Sequence, residues 1–429
     1  MFYIYPFTER SEMMSYYLDH AATTPLDPEV LNAMMPYLTD LYANPSSLHD
    51  QGIFIRKKIN ETRESVAKAF HVSTSGVVFT SGGTEATNLA LLGYAKAHPE
   101  KKHILTTTIE HHATTHTVEA LEHLGYDIDF IPVDQEGFIV VDQFKKLIRH
   151  DTLLVSIIWG NNEIGTIQDV KVLGQIAHEH GAVFHVDAVQ MAGQTIIDLS
   201  QLPIDMMTIS AHKFYGPKGI GALILNQGIT IQPILYGGQH EKGLRSGTEN
   251  VSGIIGLAKA LELARSRVNS YCKELLSIHD AYRKLLKKVI PEIEFNGPKD
   301  STKRLSSILS LSLPNVSSTE LQYALNRKGI YVSTGSACLS NEIKGSHVLE
   351  AIKRDSSYAT LRLSFGTKSE LKDIPQICQT IKEIYEDLRD YWPHRWGLFY
   401  FIDPLHISRL KCYNVTGESA LQFKGEQHV

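Results

Sequence analysis

Short polar segments that follow apolar, β-branched runs carry the side chains that can do chemistry. One of them, SGGTEATN (81–88), joins two glycines to the start of a helix. Glycine lets a ligand approach the backbone closely, and the free amides at a helix N-terminus favour an anion, so this segment predicts a phosphate-binding turn. A glycine-rich turn between a strand and a helix is also common without any ligand, and alone it is a weak signal.

A carboxylate and an amine stand at the ends of two later runs. Asp187 closes VFHVD, and Lys213 closes SAHK (210–213). A lone aspartate at such a place is more often a helix N-cap, and a lone lysine is usually a solvated charge. The rigid, weakly charged FYGPKGIGAL around and after Lys213 favours an enclosed site instead. Gln190, three residues after Asp187, can face the same ligand.

A phosphate-binding turn, a strand-end carboxylate and a strand-end lysine are together the groups that pyridoxal phosphate needs. An amine bonds to its aldehyde, and a carboxylate keeps the pyridine nitrogen protonated so that the ring draws electrons. Further donors hold the phosphate. The combination is far more specific than any one part, and it predicts a pyridoxal-phosphate site.

The elements that must position these residues follow an α/β pattern, in which short β-branched runs alternate with longer stretches of helical periodicity. The runs are residues 76–80, 103–108, 153–158, 183–187, 206–210 and 222–225. Because they are almost continuously apolar, we expect a mostly parallel sheet covered by helices on both faces. Ligands of such sheets bind at the carboxyl ends of the strands.

A second, smaller domain is predicted after about residue 266. There a long charged helix is followed by the strands SSILSLSL and IYVST and by more amphipathic helix. We interpret the chain as a large domain of residues 23–265 and a smaller α+β domain built from 1–22 and 266–395. Residues 396–429 form a C-terminal extension with an aromatic cluster and a polar end.

Composition and charge limit the class of protein. The chain has 429 residues, of which 43% are hydrophobic, and a formal net charge of -5, so it lacks the basic balance expected of a protein that binds nucleic acid directly. No apolar run approaches the roughly 20 residues of a membrane span, and the first residues lack a signal-peptide pattern. We therefore expect a cytoplasmic protein.

Two further classes of site are disfavoured by spacing. The four cysteines show no CxxC pair, which argues against a zinc site or a disulfide framework. A dinucleotide dehydrogenase would need GxGxxG after an early strand and an acidic residue about 20 positions later, and this pattern is missing.

Nine motifs resemble those of the cysteine desulfurases, fold-type-I pyridoxal-phosphate enzymes that serve iron–sulfur assembly and tRNA thiolation. They are YLDHAATTP, NPSSLH, FTSGGTEATN, EHHA, NNEIG, HVDAVQ, SAHKFYGPKGIGAL, RSGTEN and STGSAC, in the expected order over roughly residues 16–390. The resemblance implies conversion of L-cysteine to L-alanine. It also implies that the sulfur is carried as a persulfide on Cys338 of STGSAC.

The same resemblance implies the cofactor contacts. Lys213 would bond to the cofactor and remove the substrate α-proton, Asp187 would pair with the ring nitrogen, and Gln190 would contact the phenolic oxygen. His111 would stack on the ring and exchange protons. The other residues expected to bind the cofactor are Gly83, Thr84, Asn162, Ser210, His212 and Thr248. Thr248 would reach across from a second subunit, which requires a homodimer.

The resemblance also implies which residues bind the substrate and which residue carries the sulfur. Asn162 and Arg362 are expected to orient the substrate carboxylate, which a planar guanidinium suits, and Asn44 is a further expected contact. Cys338 lies in a Ser/Gly-rich stretch. Such a stretch gives a nucleophilic thiolate the access and mobility that it needs. The remaining cysteines are interpreted as small buried hydrophobic residues: Cys272, Cys378 and Cys412.

The stretch after Cys338 is similar in length to the longer loop of one branch of the family, which favours delivery of sulfur to a partner protein. The sequence leaves open whether that acceptor is an iron–sulfur scaffold or a tRNA-thiolating enzyme. It also leaves open whether Cys338 transiently ligates an iron–sulfur cluster.

Other interpretations stay in view. A selenocysteine lyase or an aminotransferase of the same fold does not need Cys338, and STGSAC disfavours both. A sulfur-network scaffold without turnover is disfavoured by the intact lysine, aspartate and cysteine. His112 and His116 stand four apart and on a helix could bind a metal, but no third ligand with matching spacing is found.

Some stretches depart from the family. GGQHEKG (237–243) replaces the usual GGGQE or GGEQE, and the tail after Trp396 carries no matching motif. The first 13 residues precede the family's usual start, so Met13 and Met14 are alternative initiators to Met1.

Overall fold

The computed structural model describes residues 15–334 and 346–399, with the backbone alone for 391–399. Its strands are β1 (Tyr16–Tyr17), β2 (Val77–Thr80), β3 (His103–Thr107), β4 (Asp127–Ile131), β5 (Thr152–Ile158), β6 (Val183–Asp187), β7 (Met206–Ser210), β8 (Gly221–Leu225), β9 (Glu294–Asn296), β10 (Ile308–Leu313), β11 (Ile330–Tyr331) and β12 (Ala359–Ser364). Its α-helices are α1 (Pro28–Met34), α2 (Pro36–Thr39), α3 (Asp50–Phe70), α4 (Gly83–Ala97), α5 (His112–His123), α6 (Val141–Leu147), α7 (Val170–Glu179), α8 (Val251–Val289), α9 (Ser318–Arg327), α10 (His347–Ala351) and α11 (Ile374–Phe399).

A seven-stranded sheet in the order β2-β8-β7-β6-β5-β3-β4 forms the centre of the larger part. The strands from β4 to β7 pair in parallel, whereas β8 pairs antiparallel with both β7 and β2. The predicted mostly parallel sheet is therefore confirmed. Strand β4 was not predicted, because it lies at the sheet edge and its first residue Asp127 is exposed, so it lacks a continuous apolar run.

Helices cover both faces of this sheet because its inner strands are apolar on both sides. Every residue of β5 is buried, and neighbouring residues of the strand face opposite ways. Val155 and Ile157 pack with side chains of α3, α7 and α8, while Leu154 packs with α4 and α5. The carboxyl ends of the strands, with the polar residues that follow them, are left at one edge.

The smaller part contains the antiparallel sheet β12-β10-β9 and the parallel pair of β1 with β11. Its core combines these strands with α9, α11 and the second half of α8. Helix α8 begins at Val251 rather than near 266, because the side chain of Asn250 accepts a hydrogen bond from the amide of Gly253 and so caps it. The predicted boundary at 265/266 lies inside this continuous helix, and the domain limits stay predictions.

Two of the cysteines interpreted as buried residues lie in the described part of the chain. Cys378 is fully buried, and Cys272 is partly buried with its Sγ donating to the carbonyl of Gln194. Cys338 and Cys412 lie outside the described residues, as do Met13, Met14 and residues 400–429. None of the described helices is long and apolar enough to cross a membrane.

Candidate active site

A cavity of about 870 Å³ opens at the carboxyl ends of β3, β5, β6 and β7. The predicted site residues that line it are Gly83, Thr84, His111, Asn162, Asp187, Gln190, Ser210, His212, Lys213 and Arg362. Residues far apart in the chain are thus brought to one cavity. Asn44 and Thr248 do not line it and are exposed on their own chain, and Cys338 lies outside the described residues.

Lys213 stands in the short 3-10 turn Ala211–Lys213 that follows β7. Its Nζ donates to the carbonyl oxygens of Ala21 and Ala22, at 2.6 and 2.7 Å. The side-chain amide of Gln190 donates to the same carbonyl of Ala21, at 2.9 Å. The stretch of chain after β1 therefore holds the amine and the amide side by side in the cavity wall.

Asp187 ends β6 and is only 5% exposed. One carboxylate oxygen accepts a hydrogen bond of 2.9 Å from the amide of Val189. Burial raises the pKa of Asp187 to about 6, although the Val189 amide and the positive charge of Lys213 both lower it. A protonated ring nitrogen placed beside this carboxylate would supply the opposite charge that favours its ionised form.

His111 is the N-cap of α5, and its Nδ1 accepts a hydrogen bond of 3.0 Å from the amide of Ala113. Burial lowers the pKa of His111 to about 4, and the charge of Lys213 lowers it further. The imidazole is therefore neutral near pH 7. Since Nδ1 accepts, Nε2 carries the proton, and the ring can both stack on a flat ligand and donate from Nε2.

The part of the cavity at the start of α4 is suited to an anion. Helix α4 begins at Gly83, where a Cβ would come within 2.9 Å of a methyl carbon of Val189, so a side chain there would push the helix away from the β6 end. The hydroxyl groups of Thr84 and Ser210 and the imidazole of His212 line the same cavity. Burial, followed by the charge of Lys213, lowers the pKa of His212 to about 4. The hydroxyl groups of Thr84 and Ser210, together with the amides at the start of α4, can donate to a phosphate.

These residues fit pyridoxal phosphate. The donors at the start of α4 suit its phosphate, the buried carboxyl of Asp187 suits its ring nitrogen, and the amine of Lys213 suits its aldehyde. The close approach of the glycine turn to the β6 end is the feature that a larger residue would abolish.

Arg362 projects from β12 of the smaller part into the same cavity and is 7% exposed. Its Nη1 donates to the carbonyl of Asn162 at 2.9 Å, and its Nη2 pairs with Asp19 at 2.8 Å. Its Nε has no acceptor among the residues that the structure describes. The guanidinium is thus held in place with a donor left over, which a carboxylate ligand would satisfy.

Glu110 lines the cavity and was given no role from the sequence, although it belongs to EHHA. One carboxyl oxygen accepts from the Thr107 hydroxyl at 2.6 Å and from the Ile158 amide at 2.9 Å. The other oxygen is buried and has no partner within the described part of the chain. Burial raises the pKa of Glu110 to about 8 against these hydrogen bonds, and the charge of Asp187 raises it further.

Glu110→Gln is expected to stabilise the cofactor-free protein at pH 8 and to change little at pH 4. Between its ordinary pKa near 4.5 and about 8, the wild-type carboxyl is ionised when unfolded and protonated when folded, so folding loses free energy as pH rises. Glutamine does not titrate and keeps the accepting oxygen. The gain at pH 8 should be on the order of a few kcal/mol. Urea unfolding at both pH values measures it, and equal gains at both would contradict the protonated carboxyl.

A histidine cluster lies at the cavity wall. The rings of His112 and His116 stack with centroids 5.1 Å apart, and the ring of His347 is 5.0 Å from that of His112. Among the residues described, however, no group of three histidine, cysteine or acidic side chains is arranged to hold a metal ion. The metal interpretation of the first two histidines is therefore unsupported.

The fold and the cavity agree with the class of protein that comparison identifies. The Aminotransferase class-V family model matches residues 16–377, and the chain belongs to this family. Pyridoxal phosphate is the cofactor of the family, which confirms that part of the sequence interpretation. The predicted fold-type-I architecture is confirmed as well, through the solved structure described next.

The particular relatives are cysteine desulfurases. The chain is 41% identical over 380 residues to the cysteine desulfurase IscS of Clostridium botulinum, covering 88% of this chain and 96% of the relative. It is 42% identical over 386 residues to that of Methanosarcina thermophila, covering 89% and 95%. A solved NifS-like protein superposes with a TM-score of 0.82 at 36% identity, covering 87% of this chain and 100% of that one. The resemblance read from the nine motifs is confirmed.

Proposed function

We propose that this protein is a pyridoxal-phosphate-dependent cysteine desulfurase, which converts L-cysteine to L-alanine and keeps the sulfur as a persulfide on Cys338. The observation that carries the proposal is the meeting of Lys213, Asp187 and His111 in one cavity, in a chain 41% identical to a cysteine desulfurase. A selenocysteine lyase or an aminotransferase is not favoured by the relatives.

When bound, pyridoxal phosphate draws electrons from the substrate and makes its α-proton acidic. Asp187 holds a proton on the ring nitrogen through its buried carboxylate. The Nζ of Lys213 would hold the cofactor, and as a free amine it would take the substrate α-proton and later return a proton. His111 would stack on the cofactor ring, and its Nε2 carries a proton that it can donate.

Substrate orientation is assigned to Arg362 and Asn162. The guanidinium is already fixed by Asp19 and by the Asn162 carbonyl, so little side-chain freedom is lost when it binds a carboxylate. This arrangement would aim the thiol end of the substrate away from Arg362.

The sulfur step is assigned to Cys338, which the sequence places in STGSAC. Its thiolate attacks the substrate sulfur, so an S–S bond forms and the C–S bond of the substrate breaks. The electron pair of the C–S bond goes to the β-carbon, which takes a proton and becomes the methyl group of alanine. The persulfide then passes its outer sulfur to an acceptor protein, and we propose iron–sulfur assembly or tRNA thiolation as the destination.

Two details of the proposed sulfur delivery rest on the sequence interpretation alone. We propose the cytoplasm as the place of action, and a transient iron–sulfur cluster ligated by Cys338 as one form in which sulfur is handed on. The cluster is then cargo of the reaction rather than a resident group.

A homodimer completes the proposed site. Large apolar side chains are exposed along α1 to α3: Leu31, Met35, Leu38, Tyr42, Leu48, Ile53 and Phe54. This patch includes the turn with Asn44, and Ser46 approaches the ring of His240, in the loop that leads to Thr248, at 3.5 Å. A second copy that covers the patch would bring Thr248 towards the neighbouring cavity, as the family resemblance implies. Sedimentation should give the mass of two chains.

The activity is tested by incubating the cofactor-loaded protein with L-cysteine and a thiol reductant, and by measuring alanine and sulfide. The proposal predicts equal amounts of both. Alanine from L-selenocysteine alone would favour the lyase, and a product that appears only with an added 2-oxo acid would favour the aminotransferase. Bound cofactor with no product from any of these substrates would favour the scaffold.

A further inference from the structure

Helix α10 packs on the wall of the cavity although the strands around it in the sequence, β11 and β12, belong to the smaller part. Val348 and Leu349 are buried against Ile109, Ile158 and Ile164. Ile158 ends β5, and the other two isoleucines stand in the loops that follow β3 and β5. The helix is therefore fastened to the segments that carry EHHA and NNEIG.

Ser346, the residue immediately before α10, makes a polar contact with the same wall of the cavity. The hydroxyl of Ser346 donates to a carboxylate oxygen of Glu163 at 2.5 Å and accepts the amide of Leu349 at 3.2 Å, which caps the helix. Glu163 is itself 8% exposed, and its amide donates to the side chain of Asn161. Ser346 thus joins the start of α10 to a buried, hydrogen-bonded loop.

The next residue makes a second contact. Nε2 of His347 donates to the backbone carbonyl of Glu110 at 2.8 Å, directly beside His111. Burial raises the pKa of the Glu163 carboxyl, whereas the Ser346 hydroxyl and the charges of His347 and Arg362 lower it. The two polar contacts and the apolar cluster hold the start of α10 at the cavity.

The chain is also held before Cys338. The amide and carbonyl of Ser333 exchange hydrogen bonds with those of Arg362, at 3.2 and 2.7 Å. Cys338 comes five residues after Ser333 and eight before Ser346. The stretch that bears the proposed nucleophile is therefore tied at both ends to residues of the cavity, one end at the proposed carboxylate-binding arginine and the other at Glu163.

We propose that Ser346, with Glu163 as its acceptor and His347 beside it, is a positioning residue that sets how often the Cys338 thiol reaches the substrate sulfur. This inference deepens the proposed desulfurase function and rests on it. A tethered nucleophile reacts at a rate set by its effective concentration, and a displaced anchor lowers that concentration without changing the nucleophile. Ser346 itself lines the cavity, so the cofactor absorbance and its change on adding L-cysteine are measured beside the rate of persulfide formation.

The variants Ser346→Ala and Ser346→Asp separate this role from helix capping. Alanine removes both hydrogen bonds of the hydroxyl. Aspartate keeps an oxygen that can cap α10 but sets a second carboxylate against Glu163. Ser317→Ala is the matched control, because Ser317 caps α9 by accepting the amide of Glu320 at 3.4 Å and α9 packs in the smaller part.

In a single turnover with one equivalent of L-cysteine, persulfide formation on Cys338 should slow about ten- to a hundredfold in Ser346→Ala. Ser346→Asp should slow at least as much, and Ser317→Ala should match wild type. The double variant Ser346→Asp with Glu163→Gln should recover rate relative to Ser346→Asp, because the repulsion is removed and the glutamine amide can donate to the aspartate. Cofactor absorbance and its change on adding L-cysteine should be the same in Ser346→Ala as in wild type.

The outcomes distinguish this inference from the proposed function. If wild type forms no persulfide or alanine, the desulfurase proposal itself fails. If wild type forms persulfide and both Ser346 variants form it at the wild-type rate, the positioning role is wrong. Equal slowing in Ser346→Ala and Ser317→Ala, or a loss of cofactor in Ser346→Ala, would show a general effect on the fold and would also overturn it.

Discussion

Lys213→Ala is expected to lower the turnover of L-cysteine by about 10⁴-fold, because it removes both the amine that anchors the cofactor and the base that takes the α-proton. Alanine release measures the turnover, and the visible absorbance of bound cofactor should change in parallel. Lys218→Ala is the matched control, since Lys218 is an exposed lysine in the same loop. It should keep both the turnover and the absorbance of the wild type.

The position of Nζ gives this expectation its physical basis. It lies between the carbonyls of Ala21 and Ala22, and its charge acts on both Asp187 and His111. Turnover by Lys213→Ala at a rate close to wild type would show that another group takes the α-proton. The assignment of the site would then have to be revised.

Cys338→Ser is expected to lower sulfur transfer on the order of 10³-fold, since a hydroxyl of similar size is not a thiolate nucleophile. Alanine and persulfide should fall together, while the absorbance change on adding L-cysteine should persist. Cys272→Ser is the control, because the Sγ of Cys272 donates to the Gln194 carbonyl and a serine hydroxyl can make the same bond. It should transfer sulfur at the wild-type rate.

Alanine production by Cys338→Ser at the wild-type rate would show that cleavage of the carbon–sulfur bond does not need Cys338. The chain would then release sulfur directly, in the manner of a lyase. Loss of the absorbance change in this variant would instead place Cys338 in substrate binding.

Much of the cavity was predictable because its residues stand where buried strands end. Asp187 ends β6 and Lys213 comes three residues after β7, and parallel strands bring such ends together. Gly83 likewise opens α4 after β2. Strand β4 was not predicted because it lies at an edge and only its last residue, Ile131, is buried. The start of α8 was not predicted because Asn250, which caps it, stands in the motif RSGTEN, from which only a cofactor contact of Thr248 was inferred.

The roles of Glu110 and Glu163 could not be read from sequence, because they depend on tertiary contacts. Burial raises the pKa of Glu110 and keeps it neutral near pH 7, against the hydrogen bonds from Thr107 and Ile158. Glu163 finds its partner in Ser346, 183 residues away. Neither amino-acid composition nor hydrophobic periodicity carries information on such contacts between distant residues. The roles of Asn44 and Thr248 stay predictions, since both lie outside the cavity of their own chain and depend on a second subunit.

The central claim is that sulfur moves from L-cysteine to Cys338 while alanine is formed. The most direct test mixes the cofactor-loaded wild type with one equivalent of L-cysteine, traps thiols with an alkylating agent, and measures the mass of the Cys338 peptide together with alanine. The account predicts one added sulfur on Cys338 for each alanine formed. Alanine with an unmodified Cys338 and free sulfide in solution would contradict it.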